Sequence, residues 1–236
     1  QSADRTIAVI EETVGRCGAA GVSILSAEDA GMYDALARGL MKASGDICAY
    51  INAGDYYNSH AFEIVLDVFS ADEISWLTGM TVLCNDRSQV VSAVLPCGYR
   101  SGLIRSGMYG KKLPFIQQES TFWKRQLTEK IDFAALAKFR YAGDYFLWYQ
   151  FARSERLALV EAYLGTFRVH QGQLSENRQD YFAETASFCD EPGIRDRFLA
   201  CYDRVMWHLP RKMQTFCRWL PVIRFDHDSR SWRLTG

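Results

Sequence analysis

Two carboxylates in this sequence stand where local structure would fix their direction. The apolar run from Ile47 to Ile51 stops at Asn52-Ala53-Gly54-Asp55, and an amphipathic run begins near Ala61. Asn, Gly and Asp are the usual turn formers. A parallel strand with a ligand site at its carboxyl end stops in the same way, so the residues alone leave both readings open. Asp144, in "AGDYFLWYQFARSE" (142–155), opens a helix as its N-cap or first-turn residue. The helix dipole there favours the ionised carboxylate.

A third feature lies in the tail. Between Leu199 and Arg224, the cations Arg204, Arg211, Lys212, Arg218 and Arg224 oppose the single acid Asp203. Trp207, Leu209, Met213, Phe216, Trp219 and Leu220 are interleaved with them. Cations beside Trp and Leu on short helices suit a peripheral contact with an anionic membrane. Packing of the same aromatics against the rest of the chain is the other reading.

The elements that must position these residues follow from spacing. Ile7, Ile10, Val14 and Cys17 fall on one helical face, and "VSILS" (22–26) reads as a short buried strand. Tyr33, Leu36, Leu40 and Ala43 repeat the helical spacing, with Gly45 as the stop. "DICAYI" is then a strand, and Phe62, Val65 and Phe69 mark the next helix. Helix and strand alternate, which predicts parallel strands with covering helices. "SWLTGMTVLC" and "QVVSAVLPC" read as a hairpin joined by Asn85 to Ser88. "RSGLIRSGMYGKKLP" reads as a glycine- and cation-rich loop whose Arg100 and Arg105 either clamp phosphate or are simply solvated. A helix is expected from Thr121, extended chain over "LALVEAYLGTFRVH", and helix over "YFAETASFCDE". Helices broken at Pro210 and Pro221 are expected in the tail.

Composition excludes several classes. A net charge of -1 gives no electrostatic case for nucleic acid as a partner. Seven cysteines without a C-x-x-C pair fit reduced thiols in a cytoplasmic compartment better than disulfides or zinc. No apolar run is long enough to span a bilayer. The 14% aromatic content suits a large core and surfaces that stack on sugar rings.

Five segments in order resemble the inverting family 2 glycosyltransferases of bacterial cell-envelope polysaccharide and lipopolysaccharide synthesis. They are "SAEDAGMYDALARGLMKASGDI", "YINAGDYY", "QQESTFWKR", "AGDYFLWYQFA" and "FRVHQGQLS". The resemblance covers roughly residues 1–180. It implies an α/β fold of GT-A (Rossmann-like) type, a mostly parallel sheet flanked by helices, over residues 1–190. Residues 191–236 would be a helical C-terminal extension. "QSADRT" looks like the end of the family's second-strand turn, so the chain is expected to be amino-terminally incomplete, a fragment of a longer product.

The resemblance also implies roles. Asp55 stands at the metal-holding position of an acidic turn reduced here to Asn52-Ala53-Gly54-Asp55, and Asn52 would contact the ribose or a metal-bound water. Mn2+ or Mg2+, with His170 completing its coordination, would offset charge on a departing diphosphate. Asp144 would be the base that deprotonates the acceptor hydroxyl. Gln118 and Glu119 would border the acceptor pocket, while Asp29 and Arg38 would face the nucleotide and diphosphate. The partners implied are a nucleotide-sugar donor, a UDP-sugar first of all, and a glycan or lipid-linked acceptor at the inner face of the membrane. Two alternatives stay open: a non-catalytic carbohydrate- or partner-binding remnant of the same fold, and a nucleotidyltransferase on a related sheet.

Overall fold

The computed structural model describes residues 4–18, 21–71, 73–210, 213–214 and 220–235. The first helix, α1 (Thr6–Cys17), ends where Gly18 turns left-handed, yet none of its residues is buried. The expected strand at 22–26 is absent. Val22, Ile24 and Leu25 are exposed, and no described strand lies alongside to satisfy their backbone groups. Helix α2 (Met32–Lys42) buries Tyr33, Ala37 and Leu40 and is capped by Ala43, two residues before the expected Gly45.

The run after α2 keeps only β1 (Ile47–Cys48) as strand, with β2 (Tyr56–Tyr57) beyond the turn. Helix α3 (Ala61–Ala71) buries Ala61, Val65, Val68 and Phe69, whereas Phe62 faces outward against Tyr57. Strands β3 (Trp76–Thr78), β4 (Thr81–Cys84) and β5 (Val90–Val94) follow, with β4 and β5 as the expected hairpin. The presumed loop after them contains α4 (Ser101–Arg105), with Leu103, Ile104, Met108 and Tyr109 buried. Its apolar residues outweigh its glycines and cations.

Thr121 opens a strand, β6 (Thr121–Lys124), where a helix was expected; the short helices α5 (Arg125–Thr128) and α6 (Phe133–Leu136) come after it. β-Branched and aromatic side chains buried on both faces favour the strand. Then come α7 (Gly143–Phe151), β7 (Ala158–Val160), β8 (Gly165–Arg168), α8 (Arg178–Phe188) and α9 (Ile194–His208). The helical expectation for the tail holds over α9. Beyond it, β9 (Val222–Asp226) and β10 (Ser231–Thr235) form a hairpin. The basic and aromatic residues at 211–212 and 215–219 lie outside the described residues.

The larger sheet runs β1-β6-β3-β7-β9-β10 and the smaller β2-β8-β4-β5. The larger is mixed, not mostly parallel: β7 is parallel to β3 and β9, while β6 is antiparallel to both β1 and β3. Adjacent residues of each central strand point to opposite faces. Trp76, Trp123, Leu159 and Val222 therefore enter one core with α2, α4 and α7. Leu77, Phe122, Val160 and Ile223 enter a second core with α3. Trp148 of α7 stacks on Trp76 at 5.7 Å and meets Trp123 edge-on at 5.9 Å. Each of these indoles removes ~150–250 Å² from water, at most about 4–6 kcal/mol. That packing fixes α7, and with it Asp144, against the sheet.

Candidate active site

The turn that carries Asp55 closes through the Asp55 amide, which donates to the Asn52 carbonyl at 3.2 Å. Gly54 occupies it with φ +101°, a conformation that L side chains rarely adopt. Arg168, the last residue of β8, fastens this turn. Its amide donates to Asp55 Oδ1 at 2.8 Å and its Nε to the Gly54 carbonyl at 2.7 Å. Its terminal nitrogens reach the Asp86 carbonyl and Ser88 Oγ. Burial raises the Asp55 pKa, and the Arg168 amide and the charges of Arg168 and His170 work against that rise.

Gln118 and Glu119 belong to a 3-10 turn, Gln118–Ser120, that leads into β6. Asn52 Nδ2 donates to Gln118 Oε1 at 3.1 Å, and the Gln118 amide nitrogen donates to the Tyr50 carbonyl. The turn carrying Asp55 and the 3-10 turn carrying Glu119 are thereby bonded to each other. Gly165 makes the approach of β8 achievable: a Cβ there would lie 2.0 Å from the Glu119 carbonyl oxygen. Glu119 itself is 2% exposed, and its Oε1 has no hydrogen-bond partner. Burial pushes its pKa up to about 8, and the charges of Asp55 and Asp144 add to the rise. The three carboxylates therefore share one electrostatic neighbourhood.

Asp144 lies in the first turn of α7. Its Oδ1 accepts from the Tyr145 amide at 2.7 Å, and from the hydroxyls of Tyr33 at 3.4 Å and Tyr181 at 3.3 Å. Burial pushes its pKa up to about 6, and these three donors hold it below what burial alone would give. Glu184 of α8 fixes the approach to the helix by accepting from the amides of Arg140, Tyr141 and Ala142 at 2.8–2.9 Å. Phe115 packs edge-on against the Tyr181 ring at 5.5 Å. A carboxylate poised near neutrality on a rigid helix start can take a proton from a hydroxyl beside it.

The structure thus bonds Asn52 to Gln118 and sets Asp55 and Asp144 within electrostatic reach of Glu119. The other expected residues are engaged locally. Asp29 Oδ1 accepts from the Gly31 amide at 3.1 Å. Arg38 is held within its own neighbourhood by Asp34 at 2.7 Å and by the Glu28 carbonyl. His170 is exposed, its Nδ1 3.0 Å from the Gln171 carbonyl, while its charge reaches Asp55. Arg100 is not available to phosphate, because Asp203 takes it through two contacts of 2.8 and 3.0 Å. Arg168, Tyr33, Tyr181 and Glu184 were not foreseen as site residues. Only Arg168 carried a local signal, two positions before His170.

No group of three or more His, Cys, Asp or Glu among the described residues has metal-holding geometry. Asp55 has one oxygen committed to the Arg168 amide. The donor set fits a cation that one carboxylate holds while substrate phosphates and water complete its shell, as Mg2+ commonly requires. It does not fit a self-contained protein cage.

No protein-family model and no curated protein matches the sequence. Among solved structures, the chain is similar to the crystal structure of S. aureus TarS 1-349, with a TM-score of 0.54 and 13% identity over 88% of this chain. It spans 60% of that TarS chain. A second TarS structure, in complex with UDP-GlcNAc, matches with a TM-score of 0.49 and 12% identity, over 90% of this chain and 58% of that one. The fold is GT-A-like. At this identity the likeness extends to the architecture, a mixed α/β body with two sheets flanked by helices.

Proposed function

We propose that this protein transfers a sugar, with inversion, from a nucleotide-diphosphate sugar to a hydroxyl of a glycan or lipid-linked acceptor. The observation that carries the reading is Asp144. It is held at a helix start by an amide and two tyrosine hydroxyls, in the same electrostatic neighbourhood as Asp55 and Glu119. Asp144 accepts the proton of the acceptor hydroxyl as that oxygen attacks the anomeric carbon and the bond to the diphosphate breaks on the opposite face. Tyr33 and Tyr181 aim the carboxylate. With Glu119 pushed up to about 8 and Asp144 to about 6, Asp144 is the one of the two that ionises at the lower pH.

Asp55, assisted by His170, would hold Mn2+ or Mg2+ together with the donor phosphates. The cation's contribution is to neutralise charge on the leaving diphosphate. Arg168 keeps the Asp55 turn closed. S. aureus TarS, which shares this fold, has been solved with UDP-GlcNAc, so UDP-sugars are the donors to try first. The reading places the reaction on the cytoplasmic side, where a lipid-linked acceptor is reached by a peripheral contact; no described helix is long and apolar enough to cross a membrane.

Isothermal titration with UDP-sugars, with and without Mn2+, followed by a transfer assay, tests the proposal. Asp144→Asn is expected to keep donor binding and to lose ~10²–10⁴-fold in transfer. Equal transfer by variant and wild type would remove Asp144 from the mechanism. Metal-independent sugar binding without any transfer would favour the non-catalytic remnant.

A further inference from the structure

A cavity of about 270 Å³ opens between the segment after α4 and the carboxyl-terminal end of α9. Lys111, Lys112, Arg204 and His208 line it, Trp207 forms a wall, and Leu113 with Pro114 completes it. No carboxylate is among the lining residues. None of the four basic side chains has an acidic partner among the described residues. Asp203, the acid beside Arg204 in sequence, is spent on Arg100 at 2.8 Å. Lys111, Lys112 and Arg204 are therefore left facing one hollow, where each raises the electrostatic cost of the others until an anion enters.

The end of α9 would ordinarily oppose an anion, since its terminal carbonyls carry partial negative charge. Here Gln214 Nε2 donates to the carbonyls of Trp207 at 3.2 Å and Leu209 at 2.8 Å, which offsets part of that charge. Lysine and arginine both bind phosphate oxygens well, arginine through its fork and lysine as a point charge. The volume falls below the ~300–1,000 Å³ typical of pockets for drug-sized ligands. It suits a phosphate or diphosphate with a few adjoining carbons laid on the indole face, not a whole nucleotide.

We infer that this cavity is a binding site for a phosphate or diphosphate group, borne by a soluble molecule or by the head group of an anionic lipid. The site contains none of the carboxylates assigned to sugar transfer, so it stands or falls independently of that assignment.

The test uses the whole protein and the double variant Lys112→Glu/Arg204→Glu, both exposed positions, with matched thermal unfolding as the control for folding. Inorganic pyrophosphate is titrated at low salt. In parallel, the protein is sedimented with vesicles of phosphatidylglycerol and phosphatidylcholine, and with phosphatidylcholine alone. Wild type is expected to bind at least one anionic probe, and the variant about tenfold more weakly. Binding of pyrophosphate assigns the site to a soluble phosphate. Binding only to phosphatidylglycerol vesicles assigns it to a lipid head group. Absence of both in wild type, or equal binding by the variant, overturns the inference.

Discussion

Replacing Glu119 by Gln probes the charge state of the site without an activity assay. Glu119 is 2% exposed with an unpartnered Oε1, and burial moves its pKa from 4.5 to about 8. The folded protein therefore keeps this proton over a range in which the unfolded chain has released it. Below pH 4.5 both states hold the proton; as pH rises towards 8 the unfolded state gains from releasing it, so stability falls. The slope is about 1.4 kcal/mol per pH unit, or about 3 kcal/mol between pH 5 and 7. Gln has the same shape and no proton to lose, so Glu119→Gln removes this slope. Its amide brings a cost of about 1–3 kcal/mol if left unpartnered, but that offset does not vary with pH. Urea denaturation of both proteins at pH 5, 6 and 7 reads the difference. For an m-value of about 2 kcal/mol/M, the gap between midpoints should change by about 1.5 M across the range, in favour of the variant at higher pH. Parallel pH profiles would show that Glu119 is already ionised at neutrality, and the account of the site would fail with them.

Transfer by the wild type should rise with pH through an apparent pKa of about 6, since Asp144 must lose its proton to act as base; a pH–rate profile flat from pH 5 to 8 contradicts this. Asp55→Asn should abolish the dependence of donor affinity on Mn2+, because a neutral amide cannot replace the carboxylate; titration calorimetry at fixed Mn2+ reports it. Gly165→Ala should destabilise the protein by about 3 kcal/mol or more, since the added methyl meets backbone atoms of Glu119 and not a movable side chain. Unchanged unfolding of that variant would mean that β8 and the Glu119 turn are farther apart than described.

Helices with apolar residues at helical spacing were legible in the sequence: α2 and α3 lie close to where that spacing placed them, and α9 runs from Ile194 to just before Pro210, where the tail was read as helical. Strand direction was not. Alternating helix and strand argued for parallel neighbours, but β6 follows a 3-10 turn instead of a crossover helix and runs antiparallel to both its partners. The segment at Thr121 misled because residues buried on both faces show neither a helical nor an alternating period. In the candidate site, residues within recognisable turns and helix starts could be named, as with Asn52, Asp55 and Asp144. Tyr33, Tyr181 and Glu184 could not, because each reaches Asp144 or the start of α7 from a helix whose packing no local pattern specifies.

The hairpin of β9 and β10 gives the larger sheet an order of assembly. Leu159 and Val160 of β7 find their second neighbour in Val222 and Ile223, roughly sixty residues later in the chain. During synthesis β7 emerges as an edge strand and stays one while α8 and α9 are made. Its unpaired backbone and apolar side chains are open to foreign strands for that interval. Both cores stay one strand short until Ile223 and Val222 dock. Sheet completion therefore waits on a distant contact, a slow kind of closure. A chaperone that shields β7 should raise the yield of folded chain more than one acting on α1, whose loss leaves neither core open.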